Sequence, residues 1–207
     1  MHPIIVLPNV TLKAHGPISQ AYLAQGLRTL HEACQWTQDL PYGPNTSSED
    51  SQILFDERKG NCTTKHGAIA RLAAEHNLPI YKNLGFYRLN DAIVTGVNDI
   101  IHPYGLDFIP QIHCFLAYEN CRVDLTANNC NGKNRVIDDY DFVVPVAPDI
   151  SRQQQQAYYL EYLSRYVEIT HRFTMLSDAT ILGLLEACDR QVHYQCSIFS
   201  SELVTVG

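Results

Sequence analysis

Three residues of the sequence, a cysteine, a histidine and an aspartate in that order, have the types that catalysis by a thiol nucleophile requires. The first, Cys62, follows Gly60-Asn61, which interrupts regular structure, and precedes a segment with helical spacing of apolar residues. The spacing predicts that Cys62 lies in the first turn of a helix, where backbone N–H groups and the helix dipole stabilise an anion such as a thiolate. Lys59 and Lys65 would add positive charge nearby. The alternative is a buried structural cysteine.

A second segment, residues 111–126, predicts a β-hairpin that turns at Glu119-Asn120. With a two-residue loop, His113 and Asp124 become diagonal neighbours on one face, which also carries Arg122. The other face is predicted to lie in the core, and it consists of Cys114, Leu116, Tyr118, Cys121, Val123 and Leu125. The alternative for the first face is a solvated surface with an incidental His–Asp pair.

Together the two segments predict a catalytic triad. Cys62 would be the nucleophile and His113 the base that takes its proton, while Asp124 would fix the tautomer of His113 and stabilise its imidazolium form. His66 lies four residues after Cys62 on the same helix face. With Cys62 and His113 it offers three zinc ligands and an open position, but we interpret His66 as a polar contact beside the cysteine. We expect no metal and no other cofactor.

The composition is that of an ordinary globular protein and excludes several functional classes. The chain has 207 residues, of which 45% are hydrophobic, and a formal net charge of −7. An acidic balance without a basic cluster argues against nucleic-acid binding, because phosphates require clustered Lys and Arg. No apolar run approaches the roughly 20 residues that span a membrane. Seven cysteines without a CxxC pair, and an N-terminus without a basic signal region, predict reduced thiols in the cytoplasm.

The order of predicted elements along the chain indicates an α+β domain. One helix is predicted from Gly16-Pro17 to just before Leu40-Pro41, and the Cys62 helix follows. Four strands are predicted over residues 80–89, 111–118, 121–126 and 142–146. Residues 90–110 are predicted to be irregular, and two helices follow, Gln153–His171 and one capped by Ser177. We predict a single domain over residues 1–207, with a core from about 17 to 147 and a C-terminal helical extension over 151–207.

The residues around the predicted triad resemble the transglutaminase-like branch of the papain-like cysteine enzymes. The matching segments are Gly60-Asn61-Cys62, Leu78-Pro79-Ile80, His113-Cys114-Phe115-Leu116 and Val123-Asp124-Leu125-Thr126, with Trp36 and Leu40-Pro41-Tyr42-Gly43 upstream. The resemblance covers roughly residues 20–127, and the region after Asn128 matches no family that we can name. Two features depart from the family: the gap between His113 and Asp124 is short, and Cys114 stands where an aromatic or small residue is commoner.

The resemblance implies a transglutaminase-like, papain-like fold with an N-terminal helix, a catalytic helix packed on an antiparallel sheet, and C-terminal helices. It also implies a cysteine-dependent acyl-transfer enzyme in which Cys62 forms a thioester with a peptide or amide substrate. Water would resolve the thioester in a peptidase or amidase, which we prefer, and an amine would resolve it in a transglutaminase. The oxyanion hole would use the Cys62 N–H and one further donor, for which Trp36, Tyr42 and Asn45 are candidates.

Two other functions stay open at this point. One is a binding module that keeps the fold and has lost the chemistry. The other is a zinc-dependent hydrolase that uses Cys62, His66 and His113. The expected partner is a peptide or amide substrate, with neither nucleic acid nor membrane, and the sequence leaves the oligomeric state open.

Overall fold

The structure is a computed structural model that describes residues 3–126, 131–165, 173 and 175–205. Its sheet has four antiparallel strands in the order β3–β2–β1–β4. The strands are β1 (Ile80–Leu89), β2 (Ile109–Tyr118), β3 (Cys121–Val123) and β4 (Phe142–Pro145). The helices are α1 (Pro17–Ala24), α2 (Leu30–Asp39), α3 (Ile53–Glu57), α4 (Cys62–Glu75), α5 (Val97–Ile101), α6 (Arg152–Arg165) and α7 (Asp178–Thr205). The predicted α+β class is confirmed.

The chain divides into two compact units. The first comprises Met1–Gly85, His113–Asn129 and Phe142–Ile150, and the second comprises Phe86–Ile112, Cys130–Asp141 and Ser151–Gly207. The divisions fall inside strands β1 and β2. Every residue of the predicted triad belongs to the first unit.

The hydrophobic core of the first unit includes one face of helix α4. Ile69 and Leu72 of this helix are fully buried in the same cluster as Leu30 of α2 and Leu116 and Leu125 of the hairpin segment. Removing side chains of this size from water stabilises a fold by about 1.5–3 kcal/mol each. This core holds α4 against the segment that carries the predicted His and Asp.

The C-terminal end of α4 is fixed by a carboxylate that caps another helix. Glu75 accepts hydrogen bonds from the backbone N–H groups of Ile18 (3.0 Å) and Ser19 (2.7 Å), in the first turn of α1. A Cβ at Gly16 would lie only 2.4 Å from the Glu75 side chain, so the glycine permits this close approach. The contact fixes the position of α4 relative to α1.

The single N-terminal helix that we predicted is wrong, because two helices are present. The chain breaks after α1 at Gly26, whose φ of 85° is left-handed, and α2 begins at Leu30. Thr29 caps α2 by accepting from the N–H of Glu32, and the Glu32 carboxylate accepts from the N–H of Thr29 in return. This capping box is the sequence signal that the prediction left unused.

Three other elements refine the predictions. Residues 90–110 are not wholly irregular, because they contain α5 and a 3-10 turn over His102–Tyr104, with Val97 and Ile101 buried. Ser177 caps α7 as predicted, since its hydroxyl accepts from the N–H of Thr180 at 3.2 Å. The continuation of the helix of residues 152–165 to His171 lies outside the described residues, as does the structural role that we expect for Cys130.

Candidate functional site

The predicted nucleophile lies at a helix start, as expected. Cys62 is the first residue of α4 and is half-buried. The side chain of Asn61 accepts from the N–H groups of Thr63 (3.0 Å) and Thr64 (3.2 Å), and Thr64 accepts from the N–H of Asn61 in return. This capping box fixes the first turn, and with it the backbone at Cys62.

The hairpin has the predicted two-residue loop. Its pairs are Leu116↔Val123, Ala117↔Arg122 and Tyr118↔Cys121. His113 donates from Nε2 to Oδ2 of Asp124 at 2.9 Å, so the predicted diagonal contact is confirmed. The alternative of a solvated face is wrong here, because the two residues are only 1% and 8% exposed. A buried His–Asp hydrogen bond restrains both side chains.

Asp124 is held by further hydrogen bonds that also end strand β3. Its Oδ1 accepts from the N–H (2.8 Å) and the hydroxyl (2.7 Å) of Thr126. An aspartate bonded to the N–H two residues on forms a turn, so the strand ends at Val123 and not at the predicted Thr126. Burial alone would raise the pKa of Asp124, but the interactions of its carboxylate with His113, and to a smaller extent with His66, together outweigh burial and hold that pKa well below its usual range.

His66 links the cysteine backbone to the aspartate segment. Its Nδ1 lies 2.7 Å from the carbonyl oxygen of Cys62, and its Nε2 accepts from the N–H of Leu125 at 2.7 Å. Since Nε2 accepts from Leu125, this hydrogen bonding places a proton on Nδ1, and Nε2 is also 3.4 Å from Oδ1 of Asp124. The interpretation of His66 as a polar contact beside the cysteine is confirmed. We call His66, His113, Asp124 and Thr126 the acid–base cluster.

The hydrogen bonds of this cluster assign the tautomers of both rings. His113 donates from Nε2, so in its neutral form the basic lone pair is on Nδ1. His66 uses both ring nitrogens for backbone groups, which removes it from the ligand set of the alternative zinc site. Within the described residues, no group of three or more His, Cys, Asp or Glu side chains is arranged to hold a metal ion.

The side chain of Cys62 contacts a second thiol that we had assigned to the core. Sγ of Cys114 lies 3.7 Å from the hydroxyl of Thr63, the residue next to Cys62, and the Cys62 side chain influences the pKa of the Cys114 thiol. Cys114 is buried. The interaction with Cys62 and the burial together raise the pKa of the Cys114 thiol well above its usual value. Two thiols, Cys62 of α4 and Cys114 of β2, therefore lie at the first turn of α4.

A buried lysine accompanies these sulfurs. Lys82 of β1 is 1% exposed and donates from Nζ to the carbonyl oxygen of Pro148 at 2.8 Å. Burial lowers the pKa of its ammonium, while its electrostatic interactions with Cys114 and Cys62 act in the opposite direction. We call Cys62, Thr63, Cys114 and Lys82 the thiol cluster. The sequence signal for Lys82 is its position in the apolar phase of a strand, between Ile80 and Leu84.

Lys65, which we expected to supply positive charge near the cysteine, has another role. Its buried ammonium donates to the carbonyl oxygens of Gln38 (3.1 Å) and Leu40, at the C-terminal end of α2. A cation at the C-terminus of a helix satisfies carbonyls that have no partner within the helix. Lys65 therefore joins α4 to α2.

Asn45, one of the three candidates for the second oxyanion donor, is committed to local structure. Its Nδ2 donates to the Glu57 carboxylate (2.9 Å) and to the Lys59 carbonyl (3.0 Å). Its Oδ1 accepts from the hydroxyl of Thr64 at 2.7 Å, which ties the preceding loop to α4. Both hydrogens of this amide are therefore used within the loop, which leaves Trp36 and Tyr42 as the better candidates.

Trp36 and Tyr42, the other two candidates, both lie near elements that precede α4. The ring of Trp36 stacks on Phe55 with centroids 5.4 Å apart, and the Arg58 guanidinium lies 5.1 Å from its centroid. Tyr42 forms a short parallel bridge with Gly60, two residues before Cys62. The second donor stays a prediction for these two residues.

The remaining described cysteines differ in exposure. Cys34 and Cys188 are fully buried, and burial raises the pKa of Cys34 and raises that of Cys188 to about 12. Cys196 is also buried. Cys121 is half-exposed, which differs from the core position that we predicted for it. Cys62 and Cys121 are therefore the more accessible thiols among the described residues.

Comparison with known proteins adds no assignment to this geometry. No protein-family model, no curated protein and no solved structure matches the chain. None of the helices in the described part of the chain is both long and apolar enough to cross a membrane. The functional argument therefore depends on the two clusters at α4.

Proposed function

We propose that this protein is a cysteine-dependent acyl-transfer enzyme with a transglutaminase-like fold. In this proposal Cys62 attacks the carbonyl carbon of a peptide or amide, and water resolves the thioester, as in a peptidase or amidase. Transfer of the acyl group to an amine is the second outcome of the same intermediate.

The observation that carries the proposal is the buried hydrogen bond between His113 and Asp124. This pair belongs to the same compact unit as the N-terminus of α4. The bond is 2.9 Å long, and the carboxylate is held on its other oxygen by Thr126. His66 connects this pair to the carbonyl of Cys62 through the N–H of Leu125. A surface histidine has no need of such an arrangement, whereas a base that must alternate between two protonation states does.

The proposed mechanism assigns one task to each group. Nδ1 of His113 accepts the thiol proton of Cys62, and Asp124 stabilises the resulting imidazolium through Nε2–H. The thiolate attacks the carbonyl, and the Cys62 N–H at the helix start stabilises the oxyanion. The imidazolium then protonates the leaving amine, and the ring activates the water that hydrolyses the thioester.

Acetylation by p-nitrophenyl acetate tests the proposal without knowledge of the natural substrate. We expect brief exposure to transfer one acetyl group to Cys62, detected by mass spectrometry on the tryptic peptide of residues 60–65. His113→Ala is expected to slow this acetylation by about 10²–10⁴-fold, the usual contribution of a general base. Faster turnover of the ester in the presence of a primary amine would identify amine transfer as the preferred second step.

Cys121→Ser is the matched control, because Cys121 is the other half-exposed thiol of this unit. This variant is expected to keep the acetylation rate of the parent. Acetylation of Cys121 in preference to Cys62, or a rate that does not depend on His113, would contradict the proposal. The second of these results would favour the alternative of a binding module without catalysis.

A further inference from the structure

We propose that Cys62 and Cys114 form a peroxide-sensitive dithiol, in which Cys114 converts an oxidised Cys62 into an intramolecular disulfide. The proposal concerns two thiols and an oxidant, so it does not depend on the acyl-transfer function. It assigns a role to the residue at which this sequence departs from the family it resembles.

The contact between the two side chains is the first observation behind this proposal. The Cys62 side chain is the largest influence on the pKa of the Cys114 thiol, and the hydroxyl of Thr63, the residue next to Cys62, lies 3.7 Å from Sγ of Cys114. Both cysteines are reduced in the structure. Cys62 is half-buried and open to a small oxidant, whereas Cys114 is 1% exposed and is approached from inside the protein. Cys62 is therefore the thiol that peroxide can reach, and Cys114 is the thiol that can react with the sulfenic acid formed on Cys62.

The charge beside the pair is the second observation. The Lys82 ammonium interacts electrostatically with both sulfurs and more weakly with the Asp149 carboxylate, and it donates a hydrogen bond to the carbonyl of Pro148. Oxidation by peroxide requires a thiolate, and a neighbouring cation together with a helix N-terminus favours that form. Cys62 has both, since it is the first residue of α4.

The oxidation proceeds in two balanced steps. The Cys62 thiolate attacks one oxygen of hydrogen peroxide, the O–O bond breaks, and sulfenic acid forms on Cys62 with release of water after protonation. The sulfur of Cys114 then attacks Sγ of Cys62, the S–O bond breaks, and the leaving hydroxide takes the Cys114 proton. In total, two thiols and one hydrogen peroxide give one disulfide and two waters.

Closure of the disulfide brings the two sulfurs into bonding distance. A sulfur–sulfur bond is about 2.0 Å long, so the two atoms must come closer together than two thiols in contact. Cys62 is half-buried at the helix start and Cys114 is buried in the core, so we expect the approach to come from the Cys62 side chain. The disulfide would block the Cys62 nucleophile and protect it from irreversible oxidation, because sulfinic acid forms only from a sulfenic acid that persists.

Peptide mapping of the full chain after brief treatment with hydrogen peroxide tests the proposal. We expect a loss of two hydrogen atoms, reversed by dithiothreitol, and a cross-link between residues 60–65 and the peptide that contains Cys114. Trypsin leaves Cys114 and Cys121 in one peptide, residues 89–122, so a second cleavage after Glu119 is needed to separate them. A cross-link that contains Cys121 would overturn the proposal.

Three variants complete the test. Cys121→Ser is the matched control and is expected to form the same cross-link as the parent. Cys114→Ser, or Cys114→Ala if the serine variant does not fold, is expected to lose the cross-link and to accumulate sulfinic acid on Cys62. Cys62→Ser is expected to lose the cross-link without oxidation of Cys114. Sulfinic acid on Cys62 of the parent protein, with no cross-link, would also overturn the proposal and would leave the acetylation test unaffected.

Discussion

The acid–base cluster and the thiol cluster both lie against the first two turns of α4, but they accommodate buried polar groups in different ways. In the acid–base cluster, Asp124 accepts hydrogen bonds from His113 and Thr126, and both nitrogens of His66 have backbone partners. In the thiol cluster, the Lys82 ammonium donates to one carbonyl and interacts electrostatically with two sulfurs and with the Asp149 carboxylate. The first arrangement depends on hydrogen-bond direction, and the second depends mainly on charge and distance.

This difference indicates what each cluster can contribute. Short, directional hydrogen bonds fix tautomer and orientation, which suits the transfer of a proton between fixed positions. A buried cation next to thiols makes the ionisation and oxidation of those thiols sensitive to small changes in charge. Variants in the first cluster are therefore expected to change the rate of acyl transfer, and variants in the second to change the pH dependence and oxidation of Cys62.

The largest effect is expected for Asp124→Asn on the rate of Cys62 acetylation. The amide keeps the shape of the side chain but does not stabilise the His113 imidazolium as a charged partner. The comparable change in serine triads lowers turnover by about 10⁴-fold, and we expect a smaller loss because a thiol at a helix start is partly ionised without the base. Single-turnover acetylation with p-nitrophenyl acetate measures it.

Cys114→Ala gives the matching measurement in the thiol cluster. No proton passes through Cys114 in the proposed mechanism, so this variant is expected to slow acetylation far less than Asp124→Asn does. Equal losses in the two variants would show that the clusters do not have separate roles.

The second prediction concerns acid unfolding, again through Asp124. Its pKa in the folded protein is held well below the usual value, so the folded state favours the ionised carboxylate. This contribution is fully present above the pKa of the unfolded chain and is lost as the pH falls through that value toward the folded pKa. We expect Asp124→Asn to lose less stability than the parent between pH 6 and pH 3, as measured by urea unfolding.

Asp56→Asn is the control for acid unfolding, because Asp56 is an exposed carboxylate on α3. The free energy of unfolding of this variant is expected to fall between pH 6 and pH 3 as it does in the parent. If the free energy of unfolding of Asp124→Asn falls with pH as steeply as that of the parent, the buried His–Asp pair has no net electrostatic effect on stability.

The His113–Asp124 pair of the acid–base cluster was predictable because its signals are local. The loop at Glu119-Asn120 sets the pairing of the hairpin, and the pairing sets the distance between His113 and Asp124. The start of α4 was predictable for the same reason, since Gly60-Asn61 and the apolar spacing that follows lie within a few residues of each other. Hydrogen bonds formed within one hairpin or one helix end need no knowledge of the tertiary fold.

The thiol cluster was not predictable in this way, because its members come from three separate elements. Cys62, Lys82 and Cys114 lie on α4, β1 and β2, and only the packing of these elements brings them together. The sequence suggests positive charge near the cysteine from Lys59 and Lys65, its neighbours in sequence. The Lys65 ammonium is instead hydrogen-bonded to α2. Sequence proximity is a poor guide to electrostatics when a lysine side chain can follow either of two directions into the protein.

A third prediction separates helix propensity from packing at the thiol cluster. An ideal Cβ at Gly67 of α4 would lie 2.4 Å from the carbonyl oxygen of Pro148, the acceptor of Lys82, and 3.5 Å from Lys82 Nζ. Gly67→Ala therefore forces a backbone segment to move, and overpacking of this kind costs about 1–3 kcal/mol. Gly183→Ala on α7 meets no atom within 4 Å and is expected to stabilise by about 0.5–1 kcal/mol. Thermal unfolding of both variants measures the difference, and equal shifts would contradict the close approach at Gly67.

The smallest effect on the reactivity of Cys62 is expected for Lys82→Met, measured as alkylation by iodoacetamide. Removing a cation near a thiolate raises the free energy of the charged form, so the pH profile of Cys62 alkylation is expected to move upward by about one unit, or about tenfold in rate at pH 6. Burial lowers the pKa of Lys82, so the difference from the parent is expected to fade at alkaline pH, below the range of an ordinary lysine. Lys59→Met is the matched control, because Lys59 is the nearest lysine before Cys62 in sequence and is half-exposed. A larger shift in Lys59→Met than in Lys82→Met would place the effective charge where the sequence alone suggested it, and would remove Lys82 from the thiol cluster.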